Sequence, residues 1–333
     1  LLQKNKIKPA SDYVNYNLDT EEEEKNPTVI EDVFIGRQKE FKKMARILND
    51  VKIGRGKTIL IKGEAGIGKS SLALKFRSYA EYNNVWVIYG TCLYKEGMNS
   101  YLPFIDSVRD FFSKENQRLS EDDRAKLKSM IQQQVPSLSQ FTDRFTTTLV
   151  KKSSKSKKES KKKEDLFEDF IRLYSMISDF QPVVIIMDDL QWADVASLQL
   201  FHYLAKRIAK KPILLIGISR SDQYDLQENG KPIYLVDIIA RMSREDLLSR
   251  IDLDYLSKED TDQLVNRSLQ KTVFSEEFYY DLYNATRGNP FFIVETLKNL
   301  QTNEKIILKN GSWVDLDIDF QIDVPERDED IFI

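Results

Sequence analysis

Eight residues, Gly63-Glu64-Ala65-Gly66-Ile67-Gly68-Lys69-Ser70, bring glycines, a lysine and a hydroxyl together at a spacing that suits phosphate. Glycines let successive backbone N–H groups curl around anionic oxygens, and a helix starting at the loop's end presents its positive pole to them. The lysine can reach the terminal phosphates of a nucleoside triphosphate, and the hydroxyl can ligate Mg2+. The neighbouring residues fit this chemistry. Thr58-Ile59-Leu60-Ile61 is a β-branched, apolar run and reads as a buried strand, while Leu72, Ala73, Phe76 and Ala80 recur at helical spacing. A strand, this loop and a helix together form the context a phosphate-binding loop requires. The expected binding set is Gly63, Glu64, Ala65, Gly66, Ile67, Gly68, Lys69, Ser70 and Ser71.

Hydrolysis needs more than such a loop. It needs a carboxylate for the metal and a group to orient water. Val183-Val184-Ile185-Ile186-Met187-Asp188-Asp189 offers both at the end of one apolar strand, where ligands sit in open α/β sheets. Asp188 is expected to hold Mg2+ through water, together with Ser70. Asp189 is the candidate base or water-orienting group. A further strand ends Leu215-Ile216-Gly217-Ile218-Ser219-Arg220. Arg220 could stabilise charge on the γ-phosphate, the alternative being an ordinary solvated arginine. Lys69, Asp189 and Arg220 make up the expected catalytic set.

Strands are expected at Thr58–Ile61, Val85–Tyr89, Val183–Met187, Ile213–Ile218 and, as a short fifth, Ile233–Val236. Strands alternating with helices indicate a parallel sheet covered on both faces. From Ser243 onward only helices are expected: 244–251, 258–269, 276–286 and 290–300. Ile306 to Trp313 reads as a hairpin turning at Asn310-Gly311. The resulting domains are a polar arm over 1–27, a nucleotide-binding domain over 28–240, a helical lid over 241–305 and a further element over 306–333. The basic stretch 151–164 has no apolar residue and is expected to be a disordered surface loop. A basic arm for nucleic acid is the alternative, though no aromatic residues are interleaved for base stacking.

The 333 residues carry a net charge of -3, so no global attraction to nucleic acid or membrane is implied. At 41% hydrophobic the chain can build a sizeable core. One cysteine, Cys92, excludes an internal disulfide framework, and one histidine, His202, excludes a Cys/His zinc site. His202 lies among Leu198, Phe201 and Leu204 and reads as a helix residue at a core edge. No apolar run approaches the ~20 residues of a membrane span, and no secretion signal heads the chain. A cytoplasmic location is therefore expected. The chain starts at Leu1 and stops at Asp330-Ile331-Phe332-Ile333, as a piece of a longer polypeptide would.

Three further stretches narrow the class: Phe34-Ile35-Gly36-Arg37-Gln38-Lys39-Glu40-Phe41, Asp188-Asp189-Leu190-Gln191-Trp192-Ala193-Asp194 and Gly288-Asn289-Pro290-Phe291-Phe292. With the phosphate-binding loop they resemble the STAND class of signal-transduction ATPases within the AAA+ superfamily, especially bacterial modules beside nucleotide cyclases, Ser/Thr kinases and LuxR-type regulators. The resemblance implies an α/β fold, a P-loop NTPase sheet of ASCE/AAA+ type with five core strands, followed by an all-helical lid. It implies ATP or ADP with Mg2+, slow ATP hydrolysis and a regulatory role. It places Ile35, Gly36 and Arg37 on the adenine side of the pocket and packs Pro290 against the base, with Phe291 and Phe292 anchoring their helix in the lid core. Asp194 reads as a helix cap as readily as a catalytic group. The expected partners are an adenine nucleotide, fused effector and sensor domains, the start of a winged helix near 313–325, and a nucleotide-dependent homo-oligomer. ADP is expected to keep the lid closed and ATP to favour an open form. The rival readings are an origin-recognition-like nucleic-acid-binding AAA+ ATPase and a scaffold that holds nucleotide without hydrolysing it.

Overall fold

The computed structural model describes residues 33–93, 100–113, 119–135, 138, 157–221 and 234–316. The polar arm 1–27, the basic residues 151–156 and the expected winged-helix start beyond 316 lie outside the described residues. By compactness the chain divides into two units. One holds Lys42–Gly63 and Ala73–Asp252, and the other holds 33–41, Glu64–Leu72 and 253–316.

The first unit is built on β1 (Lys57–Gly63), β2 (Trp86–Thr91), β3 (Val183–Asp188), β4 (Ile213–Arg220) and β5 (Ser249–Asp252). They form one sheet in the order β2-β3-β4-β1-β5, and all four pairings are parallel. Every residue of β3 is buried, as is every residue of β4 before Arg220. Near-continuous Val, Ile and Leu runs of this kind belong to strands covered on both faces. The covering helices are α1 (Gln38–Lys52), α2 (Lys69–Tyr82), α3 (Leu102–Phe111), α4 (Glu121–Gln134), α5 (Lys157–Phe180), α6 (Val195–Arg207) and α7 (Tyr234–Arg244). Of these, α1 and α2 begin in the second unit and continue into the first. Phe104, Phe170, Tyr174, Ile185, Leu204 and Leu215 belong to one continuous core of this unit.

Three expectations are corrected. The fifth strand is Ser249–Asp252, and residues 234–236 belong to α7. Leu235, Ile238, Ile239 and Met242 are buried on one side of that helix, so a spacing of three and four outweighs a short apolar run. β5 has a single buried residue, Ile251, in its four, and Lys43 Nζ donates to Arg250 O at 2.6 Å along it. The sheet unit therefore extends to Asp252 rather than 240. Third, α5 begins at Lys157, inside the stretch expected to be disordered over 151–164. Lysine and glutamate are good helix formers, and the buried face of Phe167, Phe170, Ile171, Tyr174 and Ile177 lets the helix extend backward past its last apolar contact.

The second unit carries α8 (Lys258–Ser268), α9 (Glu276–Thr286), α10 (Pro290–Thr302) and a small sheet of β6 (Thr272–Val273), β7 (Ile306–Lys309) and β8 (Ser312–Asp315). Each helix starts on a side-chain cap: Ser257, Ser275 and Asn289 accept from backbone N–H groups of their first turns. Asn310 and Gly311 both have positive φ, the primed hairpin turn expected between β7 and β8. Ile35, Leu256, Leu264, Leu282, Ile293 and Leu297 share the core of this unit.

Candidate nucleotide-binding site

The loop Glu64–Gly68 follows β1, and α2 begins at Lys69. Its carbonyls are taken one after another. Lys69 Nζ donates to Glu64 O at 2.6 Å. Asn289 Nδ2 donates to Ala65 O at 3.1 Å, Phe291 N to Gly66 O at 3.3 Å and an Arg37 guanidinium nitrogen to Ile67 O at 3.0 Å. In a trans peptide, C=O and N–H point to opposite sides. Holding these carbonyls turns the N–H groups of Ala65, Gly66 and Gly68 the other way, which is how an anion-binding nest is made. The first N–H groups of α2, which lack partners within the helix, add to it.

Two glycines are required by close approach. A Cβ on Gly66 would lie 2.6 Å from Phe291 Cβ and 2.9 Å from Asn289 Oδ1, and one on Gly288 would lie 2.2 Å from Leu256 O. Phe291 thus stands over Gly66 instead of inside the core. The expectation that Phe291 and Phe292 anchor α10 is corrected: both are only half-buried, and Ile293, Thr296, Leu297 and Leu300 face inward. Pro290 takes the first helical position, after the Asn289 cap, where a missing N–H costs nothing.

Arg37 is 5% exposed. Burial lowers its pKa from the usual arginine value, and the carboxylates of Glu40, Asp260 and Asp254 raise it back in part. Ile35 is buried in the core of the helical unit. In this structure the Ile35-Gly36-Arg37 segment packs beside α8 and grips the loop. The Tyr255 hydroxyl also donates to the Glu64 carboxylate.

The sheet unit supplies the second constellation. Asp188, 4% exposed, ends β3. Its Oδ2 accepts from the Tyr89 hydroxyl at 2.6 Å and its Oδ1 from Asp189 N at 2.8 Å. Tyr89 lies two residues along β2 from Thr91, which pairs with Asp188, so both side chains stand on one face. Burial first, and then the Asp188 charge and hydrogen bond, pushes the Tyr89 phenol above its usual pKa. Asp189 takes the left-handed conformation, φ 56°. Its Oδ1 accepts from Gln191 Nε2 at 2.7 Å, and Gln191 Oε1 accepts from Arg220 N at 3.2 Å. Arg220 pairs in register with Gly63, the last residue before the loop. Asp194 caps α6, accepting from Ala196 N and Ser197 N at 3.0 Å. His202 Nε2 meets Glu245 at 2.7 Å, on the edge of the sheet unit.

Sequence reasoning overlooked Tyr89, Gln191 and Asn289 as site residues. Tyr89 is 99 residues from Asp188 and gives no local signal. Gln191 and Asn289 stand inside motifs quoted above, but only tertiary contacts reveal what their amides do.

An all-parallel five-stranded sheet, with its glycine-rich loop at one strand end and carboxylates at another, defines the P-loop NTPase class. The AAA ATPase domain family matches residues 33–216, more than half of the chain, and the chain belongs to that family. An uncharacterised protein of Rhizobium meliloti (strain 1021) is 24% identical over 189 residues, which are 56% of this chain and 18% of that relative. The match therefore spans less than a fifth of that relative's length. Among solved structures, a Walker-type ATPase of Pyrococcus abyssi superposes with a TM-score of 0.51 at 16% identity, over 81% of this chain and 69% of that one. A signal-transduction ATPase with numerous domains and a tetratricopeptide repeat sensor, from Pyrococcus horikoshii, gives 0.41 at 17% identity, over 84% of this chain and 33% of that one. No helix among the described residues is long and apolar enough to cross a membrane.

Proposed function

We propose that this chain is a nucleotide-operated switch of the STAND type. It binds ATP, hydrolyses it slowly and reports the bound nucleotide to other domains of a longer signalling protein. One observation carries the reading: the loop expected to hold phosphate is gripped by Asn289 and Phe291 at the start of α10 and by Arg37. A change in the loop reaches the helical unit directly, without an intervening segment.

In this reading Lys69 leaves Glu64 O for the phosphates, and the N–H groups of Ala65, Gly66 and Gly68 bind their oxygens. Pro290 and the segment near Ile35 and Gly36 serve the adenine side. Ser70 and, through water, Asp188 hold Mg2+. Asp188 fits that outer role, because both its oxygens already accept protein hydrogen bonds. Held there, Mg2+ would neutralise charge on the phosphate oxygens. Asp189 orients the water that attacks the γ-phosphorus, and the bond to the bridging oxygen breaks to leave ADP and inorganic phosphate. Arg220 stabilises the charge that develops. A ligand moves a two-state protein only by its differential affinity, and a swing from 1:99 to 99:1 takes about 5.5 kcal/mol. Contacts of a γ-phosphate with Lys69 and Arg220 would supply part of that.

Calorimetry with ATP and ADP, followed by single-turnover hydrolysis, tests the proposal. Wild type is expected to bind both nucleotides, Lys69→Ala neither, and hydrolysis to fall below the usual roughly 1–10³ s⁻¹ of enzymes. Unchanged affinity in Lys69→Ala sinks the site, and rapid turnover sinks the switch.

A further inference from the structure

Gln191 occupies a position that only its own side chain can serve. A glutamine amide is nearly symmetric in shape, and its two ends are told apart by their partners. Both partners here are unambiguous. The backbone N of Arg220 can only donate, so the atom 3.2 Å from it is the amide oxygen. The Asp189 carboxylate accepts when ionised, so the atom 2.7 Å from it is the amide nitrogen. Turned round, the amide would set N–H against N–H and oxygen against carboxylate. Glutamate offers acceptors alone and lysine donors alone.

The surroundings fix the Asp189 backbone. The Asp189 backbone is pinned at both ends: its N–H donates to Asp188 Oδ1 at 2.8 Å and its carbonyl accepts from Trp192 N at 2.9 Å. It holds a left-handed conformation, φ 56°, which aspartate can adopt with local hydrogen bonds. Leu190 seals the turn against the core, 2% exposed. The Gln191 amide donates to the carboxylate of this fixed Asp189. The other end of that amide rests on the residue that closes β4.

We infer that Gln191 is a positioning residue that couples the β4 end, where Arg220 stands, to the aim of the Asp189 carboxylate. This rests on the proposed role of Asp189 in hydrolysis. When Arg220 engages a γ-phosphate, its backbone N–H shifts against the amide oxygen, and the amide nitrogen carries that shift to Asp189. Arg220 thereby senses the phosphate and sets the group that orients water, through one side chain. Gln191 touches neither nucleotide nor water.

The test uses the full chain with Gln191→Met, which keeps volume and loses both hydrogen bonds, and Gln191→Glu, each alone and combined with Asp189→Asn. Single-turnover ATP hydrolysis and ADP affinity are measured at one pH, with thermal melts as a folding control. Gln191→Met is expected to slow hydrolysis by about tenfold, the scale of one hydrogen bond to a charged group, and to leave ADP affinity within about twofold. In the Asp189→Asn background it adds no further loss. Gln191→Glu keeps the acceptor for Arg220 N but sets a second carboxylate against Asp189, so it is expected to slow hydrolysis more than Gln191→Met. This extra loss is expected to vanish in the Asp189→Asn background, where the amide can donate to it. A merely structural glutamine would not produce that dependence on residue 189. A wild-type rate in Gln191→Met, beside a slow Asp189→Asn, overturns the inference alone, as does an undiminished loss in the double variant. An Asp189→Asn that hydrolyses as fast as wild type overturns both the inference and the assignment of Asp189.

Discussion

Asn289 does two jobs with one amide. Its oxygen accepts from Phe291 N at 3.1 Å and caps α10, while its nitrogen donates to Ala65 O at 3.1 Å and holds the phosphate loop. Two substitutions separate the jobs. Asn289→Asp keeps the cap, since a carboxylate accepts as well as an amide, but it cannot donate to the loop and sets a charge against a carbonyl. Asn289→Ala loses both. Removing an N-cap costs roughly 1 kcal/mol, and stranding a buried carbonyl costs a similar amount. Both variants are expected to lower ADP affinity about fivefold to tenfold and to cost the helical unit about 1 kcal/mol for the stranded carbonyl, with Asn289→Ala losing roughly 1 kcal/mol more for the cap. Calorimetry and urea unfolding check the pair. If Asn289→Asp binds ADP like wild type, the clamp contributes nothing. The cap is a local contact, made two residues along the chain. The clamp depends on a contact 224 residues away, and no local pattern encodes such a contact. The same holds for Tyr89, placed beside Asp188 by strand pairing alone.

The elements were legible where the apolar pattern was long and regular. β1, β3, β4, α9, α10 and the β7–β8 hairpin stand where hydrophobic spacing and turn residues put them. β5 was misread as the end of a helix over 244–251, because an edge strand with one buried residue has no period of its own to read. α7 was misread because four apolar residues fit either a strand or a helix until the next turn is counted. Gly288 shows what joins elements. It follows Arg287, the left-handed cap of α9, and its own φ is 74° with the Leu256 carbonyl 2.2 Å from where a Cβ would stand. Leu256 N in turn donates to Gly288 O at 2.9 Å. Gly54 has a similar φ, 84°, and open space around it. Gly54→Ala is expected to cost about 1 kcal/mol, the left-handed penalty alone. Gly288→Ala adds a backbone clash and is expected to cost roughly 2–4 kcal/mol. Urea denaturation of the two variants measures the difference. Equal costs would mean that the α9–α10 turn relaxes away from Leu256 freely.

At the scale of the whole molecule, the sequence read the phosphate loop as part of the sheet domain, whereas compactness groups Glu64–Leu72 with the helical unit. Loop and sheet are continuous in the chain, so whether the two halves unfold as one is a physical question, and Cys92 answers it. It is the chain's one cysteine and lies just past β2, 2% exposed, its N–H donating to Asp188 O at 2.9 Å. Burial, and then the nearby Asp189, Asp194 and Asp188 carboxylates, raises its thiol above the ordinary range. The thiolate is the reactive form, so the folded protein is expected to resist disulfide reagents at pH 8 and to react only on opening. The sign for stability follows. The thiol's contribution is whole below about pH 9, the value of the unfolded group, and is lost progressively as pH rises beyond it, because the unfolded chain ionises and the folded one does not. Labelling at pH 8 under mild urea then reports the opening equilibrium. ADP at 100 times its dissociation constant stabilises a binding-competent fold by about 2.7 kcal/mol. If exposing Cys92 requires losing the nucleotide site, ADP is expected to slow labelling about 100-fold. An unchanged rate would show that the β2 end opens by itself, with the phosphate loop still folded around its ligand.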